Sequence, residues 1–102
     1  MNPITKPKLT KHETYVDLLS RIVAQNYDYI FLNVPIYSKR KRLVAEIDLM
    51  GVKDGQVDIY EVKCSHRISK AKRQLEKIRN HIPHQVRESF FFCGASRALI
   101  CV

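Results

Sequence analysis

The chain has 102 residues, 45% of them apolar, enough for one domain with a core of its own and too many for a disordered tail. Lysine and arginine outnumber aspartate and glutamate by 18 to 10, and a formal charge of +8 favours a polyanionic partner, nucleic acid before membrane. No apolar run approaches a membrane span, and "MNPITKPKLTKHE" lacks the apolar centre of a signal peptide, so the expectation is a cytoplasmic protein with no membrane partner. Three cysteines, Cys64, Cys93 and Cys101, are an odd number without CxxC spacing. They read as small buried side chains in a reducing compartment, with a Cys93–Cys101 pair across a terminal hairpin left open.

"TKHETYVDLLSRIVAQNYD" reads as a first helix, with Tyr15, Leu18, Leu19, Ile22 and Val23 on one apolar stripe. Thr10 followed by Glu13 has the form of a capping box. "YIFLNVPIY" is a strand whose Pro35 suits an edge or a bulge. The basic loop "SKRKR" leads into two hairpin strands, "LVAEIDLMGV" and "QVDIYEVK", joined around Asp54-Gly55. "SHRISKAKRQLEKIRNHI" is a second helix with Ile68, Ala71, Leu75, Ile78 and Ile82 on one face, limited by Pro83. "SFFFCG" and "ALICV" are two short closing strands. The order α-β-β-β-α-β-β over residues 1–102 predicts a single α/β domain, a mixed central sheet flanked by helices.

The hairpin carries the chemistry. A two-residue turn at Asp54-Gly55 pairs Lys53 with Gln56 and, counting outward, Met50 with Ile59, Asp48 with Glu61 and Glu46 with Lys63. Ala45, Ile47, Leu49, Tyr60, Val62 and Cys64 would then share the other, wholly apolar face. Two carboxylates side by side resist ionising together unless something positive intervenes. One answer is a salt-bridged cluster neutralised by Lys63, worth about 0–1 kcal/mol if exposed. The other is a divalent cation on Asp48 and Glu61, whose hard oxygens suit magnesium.

Asp48, then Glu61-Val62-Lys63 on the next strand, resembles the Asp…Glu-x-Lys signature of the PD-(D/E)xK nuclease superfamily. The whole chain looks most like the compact archaeal Holliday-junction resolvases, and the resemblance implies a restriction-endonuclease-like core. Ile47 stands where proline precedes the aspartate in the family's name. The resemblance also implies a ligand set of Asp48, Glu61 and the Val62 backbone carbonyl for magnesium or manganese, with Lys63 acting on water or on transition-state charge. Glu13 would add a water-mediated contact or serve only as a helix cap, and both readings stand. Glu46 would hold Lys63 or balance charge, and Gln74 resembles a polar residue that some relatives place near the metal.

Lys39, Arg40, Lys41 and Arg42 form a loop able to meet successive DNA phosphates, and His66, Arg67, Lys70, Arg73 and Lys77 extend that footprint along the second helix. His12, His81 and His84 read as surface or cap residues. The expected function is metal-dependent hydrolysis of DNA, with selectivity for branched substrates open. A catalytically silent DNA-binding module on the same fold is the alternative, and an assembly protein with a structural charge cluster is a third. Junction cleavage needs two active sites and hence a homodimer, for which the apolar ending "SFFFCGASRALICV" offers an interface or simply core filling.

Overall fold

The computed structural model describes residues 8–102. Helix α1, Lys11–Val23, starts at the expected capping box: the Glu13 N–H donates to Thr10 Oγ1 at 3.1 Å, and the Thr10 N–H donates to Glu13 Oε2 at 2.9 Å. A 3-10 turn, Ala24–Asn26, leads to strand β1, Tyr29–Tyr37. The hairpin strands are β2, Leu43–Lys53, and β3, Gln56–Lys63. Both turn residues take positive φ, 52° at Asp54 and 76° at Gly55, as a type I′ turn requires. Helix α2, Ile68–His81, stops two residues before Pro83, because the residue preceding a proline is driven out of the helical region. Strand β4, Val86–Cys93, begins three residues before the expected start at Ser89, and β5, Ala98–Cys101, is the last strand.

The five strands lie side by side in chain order. The pairs β1–β2, β2–β3 and β4–β5 are antiparallel, and β3–β4 is parallel, joined by the α2 crossover. The architecture is α/β, a five-stranded mixed sheet with a helix on each face. Val16, Leu19 and Val23 of α1 pack on Leu49, Tyr60, Val62 and Phe92. On the opposite face Leu75 and Ile78 of α2 pack on Ile47 and Ile59, and Ala71 packs on Phe91 and Cys93. The buried stripe of α1 is rotated from the expected one: Ile22 is 57% exposed, and Val16 takes its place in the core.

One irregularity in the sheet shapes the seam between β2 and β3. A regular strand sends every second residue to the same face. Leu49 nevertheless packs with α1, whereas Ile47 packs with α2. On β1 the same switch separates Ile30, against the α1 cluster, from Val34, against the α2 cluster. The switch falls at Asn33, whose φ is 54°, and at Asp48 across from it; the pairs Leu32–Leu49 and Val34–Ile47 flank this gap in the ladder. Ile47 and Val62 were expected on one face and lie on opposite ones. The pairing of β2 with β3 follows the expected register from Lys53–Gln56 to Leu49–Tyr60 and then ends, so the expected Asp48–Glu61 and Glu46–Lys63 ladder pairs do not form.

The three cysteines are free thiols. Cys93 faces Ala98 and Cys101 faces Phe90, so the terminal hairpin does not bring the two sulfurs together. Among the described residues no helix is long and apolar enough to cross a membrane.

Candidate active site

Where β2 leaves the ladder, the side chain of Asp48 enters it. Its Oδ2 accepts the backbone N–H of Val62 at 2.8 Å, a bond that a β2 carbonyl would otherwise take. Asp48 is thus held in the seam between the strands, 8% exposed. Glu61 and Lys63 alternate with Val62, which faces α1, and so project to the side covered by α2. Lys63 Nζ stands 3.3 Å from Glu61 Oε1. Asp48, Glu61 and Lys63 are therefore brought together as expected, by side-chain reach across an opened seam rather than by ladder pairing.

The electrostatics of the cluster do not balance. Glu61 Oε2 is buried and has no hydrogen-bond partner. Burial pushes the Glu61 carboxyl up to about 8, the Asp48 carboxylate adds to the rise, and Lys63 offsets only part of it. As an acid Glu61 can donate to Asp48; as a carboxylate it faces Asp48 with one oxygen bare. Asp58, three residues earlier on the same strand, shows how this fold treats a carboxylate it intends only to bury. Arg87 Nε and Nη2 donate to it at 3.1 and 2.7 Å, the Tyr27 hydroxyl at 2.6 Å and the Glu88 N–H at 3.1 Å. Burial alone would raise Asp58, but those donors hold it below its ordinary value. Glu61 has no such set.

The residue approaching from α1 is His12, not Glu13. His12 Nε2 lies 3.0 Å from the Val62 carbonyl oxygen and 3.3 Å from Asp48 Oδ2. Glu13 is exposed, with its carboxylate occupied by the Thr10 N–H, so of its two readings the structure displays the cap. On the sequence alone His12 reads as a surface or cap residue. The signal that would have found it is the spacing 12, 16, 19, 23, the true buried face of α1. Glu13 falls about 100° around the helix from that face.

Asp48, Glu61, the Val62 carbonyl and His12 are donors of the chemical type a small divalent ion takes. The contacts of His12 Nε2 with Val62 O and Asp48 Oδ2 are hydrogen bonds, so the imidazole would have to give up that proton before it could serve as a ligand. Among the described residues no group of three or more His, Cys, Asp or Glu side chains is placed so that it could hold a metal ion. Two carboxylates, a carbonyl, an imidazole and waters are the sparse protein donor set that magnesium or manganese accepts.

The remaining expected residues are dispersed. Glu46 is exposed on β2 opposite Pro35, and the structure pairs Lys63 with Glu61 instead. Gln74 is half-buried on α2, the helix covering the Glu61 face. Lys39, Arg40, Lys41 and Arg42 are exposed on the β1–β2 turn, which Ser38 closes by donating its N–H to Arg42 O at 2.8 Å. That turn and the start of α2 lie at the same end of the sheet as Lys63, because β3 runs antiparallel to β2. His66, Arg67, Lys70 and Arg73 line a cavity of about 290 Å³ at the start of α2. Lys77 is two turns of helix beyond Lys70, about 10 Å along the axis. His81 Nδ1 bonds the Lys77 carbonyl at 2.9 Å, a local contact at the helix end, and His84 is exposed. Compared with known proteins, the chain matches no family model and no curated protein sequence.

Proposed function

We propose that the protein is a metal-dependent nuclease that hydrolyses DNA phosphodiester bonds, on a restriction-endonuclease-like core. The observation that carries this reading is the buried Oε2 of Glu61, which has no hydrogen-bond partner, in a seam shared with Asp48 and one lysine: a divalent ion in place of the Glu61 proton would let both carboxyls ionise. Asp48, Glu61, the Val62 carbonyl and His12 would hold magnesium or manganese. Such an ion supplies Lewis acidity and lowers the pKa of bound water. His12 replaces Glu13 in the reading taken from the sequence, and its nitrogen donor tilts the preference toward manganese.

The chain's own residues position and balance the charges. In hydrolysis a water oxygen forms a bond to phosphorus while the bond to the leaving sugar oxygen breaks, and the water proton passes to solvent or to a nearby base. Lys63, 24% exposed and held by Glu61, places a cation where the phosphate oxygens gain charge. The turn carrying Lys39–Arg42 and the start of α2 with Lys70 and Arg73 supply the phosphate-binding surface at the same end of the sheet. A four-way junction, if it is the substrate, calls for two copies of the site and thus a homodimer.

Purified protein incubated with duplex, single-stranded, flap and four-way DNA tests the proposal. Cleavage is expected with magnesium or manganese, little with calcium, and none in Glu61→Gln. Absence of cleavage on all four substrates, with DNA binding retained, would select the silent DNA-binding module instead. The contact of His12 with the Asp48 and Val62 oxygens is the one observation favouring that second reading, since it satisfies those atoms without a cation.

A further inference from the structure

The turn between β4 and β5 lies against the end of β3. The Gly94 N–H donates to Lys63 O at 2.8 Å and the Ala95 N–H to Cys64 O at 3.0 Å. From the other side α1 presses on the same turn, with the Tyr15 ring so close to Gly94 that an added Cβ would sit 2.1 Å from it. Arg97 closes the turn through its N–H, which donates to Cys93 O at 2.8 Å. Its Nη1 donates to Gly94 O at 3.0 Å, and its guanidinium lies 5.0 Å from the centre of the Tyr15 ring.

An arginine is an uneconomical choice for that turn. Arg97 has φ 63°, a left-handed conformation that glycine or asparagine adopts with less strain. The side chain is nevertheless fixed on one aromatic face and one carbonyl. Of five guanidinium N–H groups this uses one, and among the described residues no carboxylate pairs with Arg97. Tyr15 is three residues from His12 on α1, so the two are neighbours on the helix surface. An exposed, pre-oriented cation therefore rests on a residue one helical turn along α1 from His12.

We propose that Arg97 binds a backbone phosphate of the DNA strand next to the one at the Asp48–Glu61–Lys63 site. The inference rests on the nucleic-acid part of the proposed function but not on catalysis. A planar fork held by Tyr15 and Gly94 O meets a phosphate with less loss of side-chain freedom than a mobile surface lysine does. It differs in this from Lys39–Arg42, whose side chains carry charge but no such support.

The test measures binding to duplex and four-way DNA in EDTA, where metal-dependent cleavage is off, at salt from about 50 to 200 mM. Arg97→Ala is expected to weaken binding about tenfold and to reduce the slope of log K against log salt by about 0.9, one phosphate contact. Arg97→Lys keeps the slope but loses part of the affinity. Arg21→Ala, at the far end of α1 and paired with Asp17 at 3.2 Å, leaves both unchanged. Thermal melting of each variant shows whether the turn has simply loosened. An unchanged slope in Arg97→Ala, or an equal loss in Arg21→Ala, overturns the inference. So does a wild-type protein that binds no DNA, which would end the nucleic-acid reading as well. If the wild type binds but never cleaves in manganese, only catalysis falls, and the Arg97 slope still decides this contact.

Discussion

Asp48 and Val62 are joined by a bond that is half backbone and half side chain: the Val62 N–H donates to the Asp48 carboxylate, not to a strand carbonyl. Removing the carboxylate therefore does two things at once. Asp48→Ala strands a buried N–H, costing about 1–3 kcal/mol, so any lost activity would mix chemistry with stability. Asp48→Asn keeps an acceptor for that N–H and removes the charge that presses on Glu61. It is expected to melt at or above the wild-type temperature in EDTA while losing divalent-ion binding by titration calorimetry.

His12 and Glu13 are adjacent in sequence and should separate cleanly in experiment. His12→Ala is expected to lower manganese affinity by about tenfold or more, with little change in helix stability. Glu13→Ala should cost about 1 kcal/mol through the lost half of the capping box and leave manganese affinity unchanged. Calorimetry with manganese and a denaturant melt on both variants reads the difference.

The pH dependence follows from Glu61. The folded protein keeps its proton up to about pH 8, whereas the unfolded chain releases it near 4.5. Stability from this group is therefore complete below about 4.5, falls as pH rises through that window, and changes no further above about 8. The slope is at most about 1.4 kcal/mol per pH unit. Unfolding curves in EDTA should show this decline in the wild type and not in Glu61→Gln. Divalent-ion affinity should climb over the same range, since the ion displaces the proton.

Gly94→Ala probes how α1 is seated. The added methyl would fall 2.1–2.4 Å from three atoms of the Tyr15 ring, which Arg97 covers from outside. Relief requires moving the ring or the helix that carries it, at about 1–3 kcal/mol. Because His12 rides on the same helix, manganese affinity should fall along with the melting temperature.

Local rules wrote most of this fold visibly into the sequence. Thr10 with Glu13, Asp54-Gly55 and Pro83 each act within a few residues, and each ends or begins an element where expected. The proximity of Asp48, Glu61 and Lys63 was expected from the register of one turn, but that register ends at Leu49–Tyr60, and the three meet by side-chain reach instead. The switch of face at Asn33 and Asp48 was not, since alternation counts positions and is blind to a residue that steps out of line. His12 was missed for a related reason. The expected stripe runs through Ile22 rather than Val16, about 80° around the helix from the buried face that His12 shares, and Glu13 was put forward by the resemblance rather than by the stripe.

The left-handed residue at Asn33 also bears on how copies of this chain meet one another. Strand β1 forms an outer margin of the sheet, carries no charged side chain, and leaves Tyr29, Phe31, Leu32 and Tyr37 open to water. A straight strand of that composition is a template for the stacking that grows fibrils. Here Asn33 bends the margin at its middle, and Pro35 supplies no N–H two residues later, so a neighbouring chain finds no unbroken row of donors and acceptors. The distortion that opens the seam for Asp48 on β2 thus also makes β1 a poor seed for aggregation.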